Sequence, residues 1–149
     1  MTEAELAALA ADPRVIWTED VIRFGDTDMN GHVNNSAFAF FAESGRVHLF
    51  RSALGDGREP GRFFVIAKLT IEFKAELYYP GRVRTGTWLS RLGTSSLGIG
   101  QVILSDDGRL AATSEAVCVS MSQETRRPTP FGDATRDAAE RIVRSGMPA

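Results

Sequence analysis

Between a hydrophobic segment and an apolar run the chain reads Arg23-Phe24-Gly25-Asp26-Thr27-Asp28-Met29-Asn30-Gly31-His32-Val33-Asn34-Asn35. Carboxylates, amides and an imidazole are concentrated there. A carboxylate can attack an acyl carbon or take a proton from water, and an imidazole can carry a proton near neutral pH. Amides and backbone N–H groups can hold the negative charge that develops on a carbonyl oxygen. Taken singly these residues say little, because Asp, Asn and Gly are ordinary turn formers, and Asp26 or His32 alone reads as loop structure. What gives them weight is their order and their place in the chain.

That place is set by the flanking elements. Thr2 and Glu5 have capping-box spacing, predicting a short helix to about Ala11 that ends at Asp12-Pro13. Val15–Phe24 is rich enough in β-branched and aromatic residues for a strand. After the polar run, a helix is expected from Ser36 to about Leu54, stopped by Gly55-Asp56-Gly57. Its start, Phe38-Ala39-Phe40-Phe41-Ala42, is apolar on every side, which predicts a helix buried all round at that end. The helix start itself offers unpaired N–H groups and the positive end of a dipole. The polar run therefore lies between a strand end and a helix N-terminus, where loops on a rigid scaffold carry function.

Downstream, Val65, Ala67, Leu69, Ile71, Phe73, Ala75 and Leu77 alternate with Lys68, Thr70, Glu72, Lys74 and Glu76. A period of two predicts a long strand with one face toward the core and one toward water. Pro80-Gly81 turns the chain into a strand over Val83–Leu92, and Gly93-Thr94 leads to one over Leu97–Leu104. Asp107-Gly108 marks a hairpin before a strand over Leu110–Met121. Pro128 and Pro130 break the chain, and Asp133–Val143 reads as a terminal helix. No repeat or long linker divides it, so residues 1–149 read as one α+β domain: one long helix against a curled antiparallel sheet of about five strands. An open sheet has edges to protect, which makes self-association the expectation.

Phe24-Gly25-Asp26-Thr27-Asp28, followed by Gly31-His32-Val33-Asn34-Asn35 and a helix, resembles the hotdog-fold thioesterases of the 4-hydroxybenzoyl-CoA thioesterase type. With the strand pattern, the resemblance spans roughly Val15 to Met121. It implies a long helix wrapped by an antiparallel sheet, and dimers or dimers of dimers with active sites between subunits. It implies Asp28 as nucleophile or general base on a thioester, with the backbone N–H at Asn35 polarising the carbonyl. Gly31 would keep the backbone close to substrate, with Asn34 beside it. The segment Thr94-Ser95-Ser96 would contact the CoA nucleotide. The run Asp28-Met29-Asn30-Gly31-His32-Val33-Asn34-Asn35 also matches the Asp-X-Asn-X-His-Val-Asn-Asn of plant acyl-carrier-protein thioesterases, which adds Asn30 and His32 to the implied catalytic set. The 4-hydroxybenzoyl-CoA enzyme itself lacks a His at the position of His32. No cofactor is implied beyond the CoA carried by the substrate.

The whole chain is compatible with this reading. A net charge of −2 argues against a nucleic-acid or membrane-surface partner. The single cysteine, Cys118, excludes an intrachain disulfide and a Cys-based zinc site, and its place in a strand predicts an inert thiol. An acidic N-terminus and a short apolar stretch over Leu6–Ala11 do not make a signal peptide, so the expected setting is the cytoplasm. The expected function is hydrolysis of an acyl-CoA to the free acid and CoA. The alternatives are an acyl-carrier-protein thioesterase and a non-catalytic acyl-CoA-binding protein. A dehydratase of the same fold would carry Asp-X-Asn-Pro-X-His, and here Gly31 stands at the proline and His32 comes one position early. Glu43, on the helix, reads as structural or supporting.

Overall fold

The computed structural model describes residues 1–55 and 58–144; Asp56 and Gly57 of the expected helix stop lie outside them. The elements are α1 (Glu3–Ala11), β1 (Ile16–Ile22), a 3-10 turn (Phe24–Asp26), α2 (Asn35–Ala53), β2 (Arg62–Phe73), β3 (Gly81–Leu92), β4 (Ser96–Ser105), β5 (Leu110–Ser122) and α3 (Asp133–Ile142). The capping box forms as expected: Thr2 Oγ1 accepts from Glu5 N, and Glu5 Oε2 from Thr2 N. Among the described residues, no helix is long and apolar enough to cross a membrane.

All strands are antiparallel, in one sheet ordered β1-β3-β4-β5-β2. The order along the sheet is not the order along the chain. After α2, β2 forms at the far edge, and β3 returns beside β1. β1 and β2 are therefore the two edges, and β4 is the centre. The strand β4 is buried along nearly its whole length, because α2 covers one face of the sheet and α1 part of the other. Leu9 and Val15 pack there on Trp88, Val102 and Leu104.

The all-round burial expected for the start of α2 is only half right. Phe38, Phe41 and Ala42 are buried, while Phe40 is 61% exposed. Within one chain the sheet meets a single face of the helix, and Phe40 lies on the other. Two apolar clusters hold that inner face. Phe38, Phe41 and Ala42 join one with Val33, Leu77 and Ile103; Leu49 and Leu54 join a second with Leu89, Leu97 and Ile99. Gln101 separates them. It donates to the Ala42 carbonyl at 2.8 Å and to Thr87 Oγ1 at 3.0 Å, and accepts from the buried Arg46 guanidinium at 3.2 Å. Gly45 permits this closeness: a Cβ there would come within 2.8 Å of Gln101 Nε2 and nearer still to Thr87 Oγ1. A buried polar group costs little only when so partnered, and this one fixes the height of α2 over the sheet.

The alternation expected in β2 also needs correcting. Its register against β5 slips between Ile66 and Lys68. Phe64 and Ile66 sit opposite buried Ser120 and Cys118, whereas Leu69, Ile71 and Phe73 sit opposite buried Ala116, Ser114 and Ala112. A bulge inserts one residue and shifts the side-chain phase by one, so the inward set changes from even to odd numbers at Ala67. Phe64 and Ile71 pack against the core, but Ile66 is 46% and Phe73 50% exposed, because β2 is an edge that α2 does not reach across.

Candidate active site

The polar run folds as a tight hairpin between β1 and α2. Thr27 bridges to Val33, Asp28 N donates to the His32 carbonyl at 2.9 Å, and Gly31 N to the Asp28 carbonyl at 3.1 Å. Gly31 takes φ +77°, which a side chain disfavours, and an added Cβ would meet nothing. Its glycine is needed for backbone conformation, not for room within this chain.

Asp26 locks the loop to its scaffold. Its carboxylate accepts from Arg23 N at 2.8 Å and from the Arg23 guanidinium at 2.9 Å, while its carbonyl accepts from Asn34 N at 2.7 Å. The hydrogen bond from the Arg23 side chain outweighs burial and holds this carboxyl below the usual range. Val33 N donates to the Leu77 carbonyl at 2.8 Å, tying the hairpin to the segment after β2. Asp28 is placed differently. Only half-buried, it accepts from Asn30 N at Oδ1, 2.8 Å.

Asn34 is the N-cap of α2, its Oδ1 accepting from Ser36 N and Ser36 Oγ, both at 3.0 Å. Asn35 is therefore the first helical residue, one position earlier than expected. Its N–H belongs to the first turn, which has no helical acceptor, at the positive end of the dipole.

A cavity of about 400 Å³ brings these groups together: Asp28, Asn30, His32 and Asn35 line it with Phe38 and Phe73. The His32 ring stands edge-on to Tyr78 with centroids 5.3 Å apart. Lys74 and Glu76, just beyond β2, also line the cavity. No motif marks them, since they continue the alternation of a strand. Their signal is positional: the chain leaves β2 here on its way to Leu77, the partner of Val33.

Thr94, Ser95 and Ser96 are not brought to this cavity. They form the β3–β4 turn, where the Thr94 carbonyl accepts from Phe131 N and the Ser95 carbonyl from Ser120 N. Phe131 packs with Leu54, beyond the C-terminal end of α2, so this turn and Asp28 lie at opposite ends of the helix. Glu43 borders a different cleft with Asp20 and His48, on the β1 side of α2. Cys118 is buried, and burial pushes its thiol up, as an inert core residue requires.

The fold and loop can be set beside known proteins. None of the curated proteins matches the chain. A protein of Bacillus stearothermophilus described as a predicted thioesterase is 28% identical, with a TM-score of 0.80 over 89% of this chain and 99% of that one. A Thermus thermophilus thioesterase, solved with coenzyme A and zinc, is also 28% identical, with a TM-score of 0.74 over 91% and 97%. The DHNA-CoA thioesterase of Staphylococcus aureus shares the fold at 19% identity, with a TM-score of 0.79 over 86% and 90%. The arrangement is thus the hotdog fold. Residues 22–139, which include the Asp28 loop, α2 and β2 through β5, match the family model of the thioesterase-like superfamily, and the chain belongs to that superfamily.

Proposed function

We propose that this protein is an acyl-CoA thioesterase, hydrolysing the thioester to a free acid and CoA, with Asp28 as its central catalytic residue. One observation carries the reading: the Asp28 carboxylate and the first residue of α2, Asn35, line the same cavity. A thioester carbonyl needs a group that drives attack on carbon and a donor that receives charge on oxygen. Asp28 supplies the first, as nucleophile or as the base that deprotonates water. The Asn35 N–H supplies the second.

In this reading the substrate carbonyl oxygen accepts from Asn35 N–H while Asp28, or water it has deprotonated, adds to the carbonyl carbon. The tetrahedral oxyanion then collapses, expelling the CoA thiolate, and the acyl group leaves as the acid after hydrolysis. The Asn30 N–H holds Oδ1 of the carboxylate, and the His32 imidazole and Asn30 amide border the same space as supporting polar groups. Gly31 and Asn34 shape the loop and the helix start. The chemistry needs no cofactor, and a CoA substrate, together with a chain whose one cysteine, Cys118, is a buried free thiol, fits a cytoplasmic setting.

The site is also proposed to work in a homodimer, or a tetramer built from two such dimers. Supporting this, β2 is an edge strand of twelve residues that leaves Ile66, Leu69 and Phe73 half-open, and α2 leaves Phe40 and Val47 exposed. Such an edge and such exposed apolar side chains call for cover.

Hydrolysis of a panel of acyl-CoAs by the purified protein, read as free thiol, tests the activity. Acyl-carrier-protein substrates in the same assay separate that alternative. CoA binding without turnover of any thioester would make the protein a non-catalytic binder.

A further inference from the structure

Gln101 stands on the central strand β4, beneath α2 and between the two apolar clusters, and its amide is held from three sides. Thr87 and Ser114 are its cross-strand neighbours. Nε2 donates to Thr87 Oγ1 at 3.0 Å, while Oε1 accepts from Ser114 Oγ at 3.5 Å and from the Arg46 guanidinium at 3.2 Å. The other Nε2 hydrogen reaches across to the Ala42 carbonyl of α2 at 2.8 Å. Gln101, Thr87, Ser114 and Arg46 are all buried, Arg46 being only 4% exposed. Burial pushes the Arg46 guanidinium below its ordinary value.

A polar set of this kind is not the most stable filling for its space. Apolar side chains of similar volume in place of buried ionic groups are often neutral or stabilising. What the polar set supplies is direction. The apolar clusters on either side attract α2 without fixing its angle, because apolar contact is non-directional. Hydrogen bonds have preferred lengths and angles. Gly45 brings the helix backbone down onto the set: a Cβ there would meet Gln101 Nε2 at 2.8 Å, Thr85 Cγ2 at 3.0 Å and Thr87 Oγ1 closer still. The helix therefore rests on a peg that belongs to the sheet.

The peg bears on the site through the helix. Asn35 lies about two turns, or about 10 Å, before Ala42 on the same rod. An oxyanion donor acts at about 2.7–3.1 Å, and a misplacement of about 1 Å costs about 10²-fold in rate. Asp28 sits in a hairpin held by other contacts, Arg23 with Asp26 and Val33 N with the Leu77 carbonyl. Asn34 N tethers the helix start to the Asp26 carbonyl at 2.7 Å. Loss of the peg thus leaves α2 attached and changes its tilt about that tether.

We propose that Gln101 is a positioning residue for thioester hydrolysis: braced by Thr87, Ser114 and Arg46, it sets the tilt of α2 and so aims the Asn35 N–H at the carbonyl oxygen above Asp28. The proposal rests on the thioesterase reading.

The test replaces the peg by apolar volume in the double variant Arg46→Met/Gln101→Leu, which leaves no unpaired cation. Denaturant unfolding should show it no less stable than wild type. Its kcat on acyl-CoA should nevertheless fall at least about tenfold, with KM within about twofold of wild type. An unchanged kcat overturns the proposal. Adding Asn35→Pro reads the route. If the peg acts by aiming that N–H, little more is lost once the N–H is gone, and the combined kcat stays within about threefold of Asn35→Pro alone. Losses that multiply place the effect elsewhere and overturn the proposal. Thr87→Val keeps its shape and removes one partner of the Gln101 amide, so it gives the same cycle where the double variant does not fold: kcat should fall severalfold alone and little further beside Asn35→Pro. If the wild type hydrolyses no thioester, the catalytic reading fails on its own. Residual dipolar couplings of the Asn35 N–H against the Asp28 N–H then decide the positioning. They should change when the peg is replaced, and unchanged couplings contradict it.

Discussion

Asn30 donates its backbone N–H to Oδ1 of Asp28 at 2.8 Å, so the carboxylate that faces the cavity also closes the turn that displays it. The two duties can be separated. Asn at position 28 keeps an acceptor oxygen, whereas Ala removes it. Asp28→Asn should therefore melt within about 0.5 kcal/mol of wild type, the range of a substitution that spares its contacts. Asp28→Ala should lose about 0.5–1.5 kcal/mol with that hydrogen bond. Denaturant unfolding of the pair checks this, and equal stability would show the turn does not depend on the side chain.

The oxyanion donor is backbone, so it needs a different substitution. Asn35→Pro removes the N–H at a helical position where proline is tolerated, and it should cost about 10²–10³ in kcat. Asn35→Ala keeps the N–H and should retain far more activity. Because proline also restrains Asn34, the N-cap, the two variants are compared at matched helicity by circular dichroism. Equal activities would assign the carbonyl to another donor.

His32 borders the cavity while its ring leans edge-on against Tyr78. His32→Ala is expected to lower kcat by less than Asp28→Asn in the same assay, since the imidazole supports the reaction and the carboxylate drives it. A larger loss in His32→Ala would make the imidazole the essential base.

The exposed β2 edge leads to an assembly prediction. Light scattering at micromolar concentration should give at least twice the 16.2 kDa of one chain. Ile66→Lys, which puts a charge on a half-exposed residue of that edge, should shift the protein toward monomer and reduce activity together. A fully active 16.2 kDa species would contradict the proposal that the site works in a dimer.

Much of this was legible in the residues because local rules agreed with the global fold. The Thr2–Glu5 capping box, the turn at Asp107-Gly108 and the span of α2 follow from local chemistry, and each appears within a residue or two of its expected bounds. What was not legible is non-local. Nothing in the β2 alternation announces the slip at Ala67, because a bulge is decided by the partner strand β5. The apolar run at Phe38–Ala42 reads as buried whether its cover comes from the same chain or another, so the exposure of Phe40 could not be foreseen. At the site, Asp28, Asn30, His32 and Asn35 were legible as neighbours in a short run. Lys74 and Glu76 were not, because the contact of Val33 with Leu77 that brings their segment there spans more than forty residues.

The central claim is that the Asp28 carboxylate drives thioester hydrolysis, and its most direct test is the kcat of Asp28→Asn on the best acyl-CoA of the panel, with free thiol as readout. Asn preserves size and the acceptor for Asn30 N–H but neither attacks an acyl carbon nor takes a proton from water. The account predicts a fall of at least about 10²-fold in kcat with the fold intact. Turnover within a few-fold of wild type would contradict it.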